Sequence, residues 1–142
     1  MEQCLLDRMQ QIVQNNAYMK DMHITLTQMR EGYACGQMQV TERILNPYQS
    51  VHGGALYSLA DIISGIAACS HGRFASTVSG NMNYIRPAMN TGWITCEAKE
   101  IRSGKRVAVY DVELRDEREE VVETGTFTFY MMNRSVVEET EQ

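Results

Sequence analysis

The sequence predicts an α+β domain in which an antiparallel β-sheet wraps around one long helix at about 54–70, with an additional helix at the N-terminus. Three observations lead there. The segment Gly54–Ser70, GALYSLADIISGIAACS, carries apolar residues at helical spacing on one side and small residues on the other. Segments before and after it alternate with a period of two, the repeat of strands. The joins between the later alternating segments are hairpin-sized, which makes those strands antiparallel neighbours.

Residues 1–20 read as the N-terminal helix, because Leu5, Leu6, Met9, Ile12 and Val13 recur at helix spacing with no Pro or Gly between them. Ile24 and Leu26 form a short strand, and Ala34, Met38 and Val40 lie on one face of the next. Glu42 to Val51, holding Asn46, Pro47 and Tyr48, is a loop. In the central helix Ala55, Leu56, Leu59, Ile62, Ile63, Ile66 and Ala67 make the apolar stripe, opposite Ser58, Ser64, Gly65 and Ala68. A helix apolar on one side and small on the other needs cover on both, so it is buried, and His71-Gly72 closes it.

Beyond the helix, Val78, Met82 and Tyr84 alternate against Thr77, Ser79, Asn81 and Asn83. Ile94, Cys96 and Ala98, then Ala108, Tyr110, Val112 and Leu114, then Phe127, Phe129 and Met131 continue the pattern. Ser103-Gly104-Lys105 and Asp116–Glu120 are the joins. Residues 133–142 form a polar, acidic tail that is expected to fray. With no repeat and no linker, 1–142 is a single domain.

Composition narrows the function. The 142 residues are 44% hydrophobic, enough for one core and too few for two. A net charge of −5 argues against nucleic acid as the partner, which wants a basic face. The N-terminus has no signal-peptide core and no run reaches membrane-spanning length, so a cytoplasmic protein without a membrane partner is expected. Cys4, Cys35, Cys69 and Cys96 are scattered without metal spacing and read as free thiols.

Asp61 is the one charged side chain between Gly54 and Ser70, and burying a carboxylate there without a reason is costly. It is either paired to a structural partner or placed for chemistry, since it falls on the small side, where a ligand or a second chain can approach. His52-Gly53-Gly54 marks the change from loop to helix. Glycines let a ligand touch the backbone, and the free N–H groups of a first helical turn stabilise negative charge. A tight turn alone would explain them equally well.

Taken together, the loop Asn46, His52-Gly53-Gly54, Asp61 and the following strand with Thr77 and Tyr84–Ala88 resemble the hotdog-fold thioesterases. Within these the likeness is to the phenylacetate-pathway and 4-hydroxybenzoyl-CoA thioesterase-like branch, and it runs from about Thr25 to Met131. The resemblance implies a hotdog fold and hydrolysis of an acyl-CoA thioester without a metal or redox cofactor, coenzyme A being part of the substrate. It implies that the Gly53 backbone N–H polarises the thioester carbonyl and that Asp61 is general base or nucleophile. Asn46 would help place the thioester or water, and His52 would organise the loop. Thr77 would hold the water, with Ser76 and Ser79 close enough to compete for that role. Gly54, Arg86, Lys105 and Arg106 are substrate-binding candidates, the cations (with Arg102) for the phosphates of coenzyme A or simply as solvated charges at strand ends.

Helix geometry adds a constraint. Eight residues separate Gly53 from Asp61, about 12 Å along a helix axis. Base and oxyanion donors must meet at one carbonyl. Two antiparallel helices related by a twofold axis satisfy this, so a homo-oligomer is expected, a dimer with shared sites or a tetramer. A hotdog dehydratase or hydratase and a non-catalytic acyl-CoA-binding domain are the competing functions. The acyl group is not legible.

Overall fold

The computed structural model describes residues 2–137. Its elements run α1 (Glu2–Asn15), α2 (Ala17–Asp21), β1 (Ile24–Arg30), β2 (Tyr33–Gln39), a short 3-10 turn (Glu42–Ile44), α3 (Gly53–Cys69), β3 (Arg73–Tyr84), β4 (Trp93–Ser103), β5 (Val107–Arg115) and β6 (Val121–Ser135). The strands form one antiparallel sheet in the order β1-β2-β4-β5-β6-β3. The long connection carrying α3 joins β2 to β3, at the far edge of the sheet, and lays the helix across its concave face. The predicted architecture is the observed one.

The inward sets on β4, β5 and β6 are those the alternation gave. Ile94, Cys96, Ala98, Ala108, Tyr110, Val112, Leu114, Phe127, Phe129 and Met131 are all buried beneath Leu59, Ala60, Ile63 and Ala67 of α3. Gly36 of β2 has to be glycine because a β-carbon there would overlap the Ile63 side chain, so the helix sits directly on the strand.

Four expectations need correction. The N-terminal helix is broken at Asn16, whose Oδ1 accepts from the Met19 N–H at 3.0 Å and caps α2; Leu5, Met9 and Val13 of α1 are buried as predicted. Ser64 and Ala68 are buried, so the open side of α3 is narrower than the small residues suggested. Val78 is 62% exposed rather than inward. A bulge between Thr77 and Ser79 shifts the phase of β3, so that Thr77 opposite Phe129 and Gly80 opposite Phe127 face the same side, with Val78 left over. Finally, β6 continues through Ser135, and Val136 is fully buried with its N–H donating to Gly72 O at 2.9 Å. The tail is therefore sheet up to that point, because Val136 supplies an apolar anchor; its remainder, 138–142, lies outside the described residues.

Candidate active site

The sheet leaves a strip of α3 uncovered. Gly54, Tyr57, Ser58, Asp61, Ile62 and Gly65 are exposed or half-buried, whereas their neighbours on the other side of the helix are buried. Asp61 is on this strip. Thr77 Oγ1 donates to its Oδ1 at 2.7 Å, reaching from β3 because the bulge turns Thr77 towards the helix. Ser76 and Ser79 face away from it in the ladder, opposite Tyr130 and Thr128, which settles on Thr77 as the hydroxyl beside the carboxylate.

The N-terminus of α3 is held open. His52 is the N-cap residue and its side chain makes no cap bond. Its backbone is pinned, N–H to Ile44 O at 2.7 Å and C=O accepting from Ala55 and Leu56. The N–H groups of Gly53 and Gly54 have no acceptor among the described residues, so two polarised donors at a helix N-terminus are free for an anionic oxygen. His52 is exposed, as befits a loop residue.

Asn46 organises the loop before the helix. Its Oδ1 accepts from the N–H groups of Tyr48 (2.9 Å) and Ser50 (3.1 Å), and its Nδ2 donates to Ser50 Oγ at 2.7 Å. One amide hydrogen remains for a ligand. Val51 N–H donates to Ala88 O at 2.9 Å, which ties this loop to residues 85–88. Between them lies a cleft of about 260 Å³, lined by Asn46, Gly53, Leu56, Tyr84 and Arg86 among others.

The cationic candidates separate. Arg86 borders the cleft but is ion-paired with Glu120 on the β5–β6 turn. Arg102, Lys105 and Arg106 line a second groove on the β4–β5 hairpin, where Lys105 O accepts from Arg73 at 2.9 Å. Arg73 begins β3, just past the C-terminus of α3. Within one chain these cations thus sit at the end of the helix remote from Gly53, about 25 Å away for seventeen residues. No group of three or more potential metal ligands occurs among the described residues, and no described helix is long and apolar enough to cross a membrane.

Two residues at the cleft were given no site role by the sequence reading. Tyr84 donates from its hydroxyl to Gly53 O at 3.1 Å and its ring covers the glycine so closely that a β-carbon would lie 3.1 Å from Cε1. Glu123 is fully buried on β6 opposite Tyr84. Its signal was available, since Glu123 shares the parity of Phe127, Phe129 and Met131 and so had to point inward.

Residues 48–123, more than half of the chain, match the thioesterase superfamily. The chain is similar to the acyl-coenzyme A thioesterase PaaI of Escherichia coli, with 35% identity over 109 residues covering 77% of this chain and 78% of that protein. Its fold is similar to the structure of the E. coli PaaI protein from the phenylacetic acid degradation operon, at a TM-score of 0.88 and 28% identity over 94% of this chain and 97% of that one. It is also similar to a hypothetical thioesterase from Streptococcus pneumoniae solved with coenzyme A, at a TM-score of 0.75 and 27% identity over 82% of this chain and 98% of that one.

Proposed function

The chain belongs to the thioesterase superfamily and is a thioester hydrolase, and from that premise we propose that it cleaves acyl-CoA thioesters to the free acid and coenzyme A. The observation that carries the reading is the pairing of Thr77 with Asp61 at 2.7 Å on the uncovered strip of a helix whose first N–H groups are unclaimed. Gly53 N–H, seconded by Gly54, stabilises the oxyanion that forms as the carbonyl is attacked. Asp61 takes the proton of a water that Thr77 helps to hold, and Asn46 offers its remaining amide hydrogen to the thioester. His52 acts through its backbone, fixing where the helix begins. The chemistry calls on no metal or redox cofactor.

One active site draws on two copies of the chain. Gly53 and Asp61 stand about 12 Å apart along one helix, so the same substrate cannot touch both in one protomer. An antiparallel pair of α3 helices brings Gly53 of one protomer to Asp61 of the partner subunit. Edge strand β3, exposed along Ser76–Ser79 and bearing Val78, offers the unpaired backbone for that association. The same pairing carries Arg102, Lys105 and Arg106 of the partner subunit towards the Gly53 end, where the phosphates of coenzyme A can meet them. Arg86, tied to Glu120, contributes by bordering the cleft. The coenzyme A held by the similar S. pneumoniae protein is in keeping with this ligand.

A screen of acyl-CoA esters, read as release of free thiol, tests the function. Hydrolysis of one or more esters is expected. A hydratase or a non-catalytic binder would leave every ester intact.

A further inference from the structure

The carbonyl of Gly53 carries a hydrogen bond that α3 does not need. Helix geometry already offers that oxygen the N–H four residues on, at Tyr57. Tyr84, at the end of β3, adds a second donor, its hydroxyl lying 3.1 Å from Gly53 O. The two lone pairs of a carbonyl accommodate both. The glycine suits this contact. Its backbone is not left-handed, so no turn demands it, whereas a β-carbon there would lie 3.1 Å from Tyr84 Cε1.

What the bond fixes is a peptide plane. A peptide unit is rigid, so the C=O of Gly53 and the N–H of Gly54 share one plane and point in opposite directions. Holding the oxygen aims the hydrogen. The preceding unit, which carries the Gly53 N–H, is held at its own oxygen, His52 O accepting from the N–H groups of Ala55 (2.9 Å) and Leu56 (3.2 Å). Both unclaimed donors at the start of α3 therefore have anchored carbonyl ends, the second of them by a side chain that comes from the sheet. A hydrogen bond accepted by a carbonyl also polarises its amide, which makes the N–H on the far side a stronger donor. The Tyr84 phenol, pushed upward chiefly by burial, keeps the proton this requires.

We propose that Tyr84 is a positioning residue for the hydrolysis: acting through the Gly53 carbonyl, its hydroxyl aims and polarises the Gly54 N–H as the second oxyanion donor. This rests on the acyl-CoA thioesterase reading, with the start of α3 as the oxyanion site. The contribution belongs to the transition state, because negative charge gathers on the substrate's carbonyl oxygen only as the thioester is attacked. Binding of the unreacted ester draws little on it.

Tyr84→Phe tests this by keeping the ring and removing the hydroxyl. Its kcat should fall about three- to tenfold, the range of one neutral hydrogen bond, with KM within about twofold of the native value. Binding of an S-alkyl-CoA thioether, which has no carbonyl oxygen to become charged, should be unchanged. Tm should be unchanged as well, since the residue is 55% exposed and the helix keeps its own bond to Gly53 O. Tyr84→Leu, which removes ring and hydroxyl together, should lose at least as much kcat as Tyr84→Phe. A folded Tyr84→Phe with native kcat overturns the inference and leaves the thioesterase reading intact; if Tyr84→Leu alone is slow, the packing of the ring is what counts. Weakened thioether binding or a raised KM also overturns it, by making the tyrosine a substrate contact. Hydrolysis of no ester by the native protein overturns both.

Discussion

Thr77 reaches Asp61 across the gap between β3 and α3, its hydroxyl donating to Asp61 Oδ1 at 2.7 Å, only because β3 bulges at Val78. Without the extra residue, Thr77 would lie on the opposite face of the strand from Gly80, Met82 and Tyr84. The bulge therefore aligns the residues flanking the carboxylate with those flanking the helix N-terminus.

Asp61→Asn should keep the fold and lower turnover by about 10²–10⁴-fold, the loss of a positioned base. Thr77→Val, which removes one hydrogen bond to a charged group, should cost about tenfold. Steady-state kinetics with thermal melts as the folding control check both. Near-normal turnover in Asp61→Asn would take the residue out of the mechanism.

Gly53→Pro isolates the oxyanion donor. Gly53 is the first residue of α3 and His52 before it has φ −58° and ψ 133°, a conformation proline accepts in its predecessor. Proline at that position suits a helix start yet has no N–H. The ring must displace Tyr84 slightly. A fall of about 10²–10³-fold in kcat is expected; an unaffected kcat in a folded variant would assign the role to Gly54.

Mixing Asp61→Asn protein with Gly53→Pro protein tests the shared site. Each parent should be nearly inactive, while a mixed dimer regains one site with both halves intact. Activity should therefore reappear on subunit exchange, and its absence from verified mixed dimers of folded chains would contradict a site built from two chains.

Val78→Glu should weaken association, because the side chain is exposed at the sheet edge and a twofold contact would bring two like charges together. Light scattering should report a shift towards monomer, with activity falling in step. Unchanged mass and activity would move the interface away from this edge.

Stability should depend on pH through Glu123. Its carboxyl is raised from 4.5 to about 8 by burial, so the folded chain holds a proton that the unfolded chain releases between those values. The contribution is complete below about 4.5 and is lost as pH rises through about 8. The groups around it add no opposing charge there, since burial also pushes the Tyr84 phenol and the Cys96 thiol upward. Melting curves from pH 5 to 9 should show Tm falling more steeply for the native protein than for Glu123→Gln; parallel curves would contradict a buried neutral acid.

The order of elements, the inward faces of β4, β5 and β6, and the helix at their centre were legible in the sequence, because a period of two or of 3.6 residues is a local property of the chain. Asp61 and Gly53 could be singled out for the same reason, one being a charge inside an apolar helix and the other a glycine at its start. Three things were decided by packing. The bulge at Val78 comes from pairing β3 with β6, and no residue in β3 announces it. The seat of Tyr84 on Gly53 joins residues from a strand end and a helix start, brought together only when α3 crosses the sheet. The cations of the β4–β5 hairpin lie beyond the far end of α3 from Gly53, a separation set by the length of the helix between them. Periodicity tells which side of each element faces inward; which residues meet there depends on how the elements are stacked, and that is a property of the whole fold.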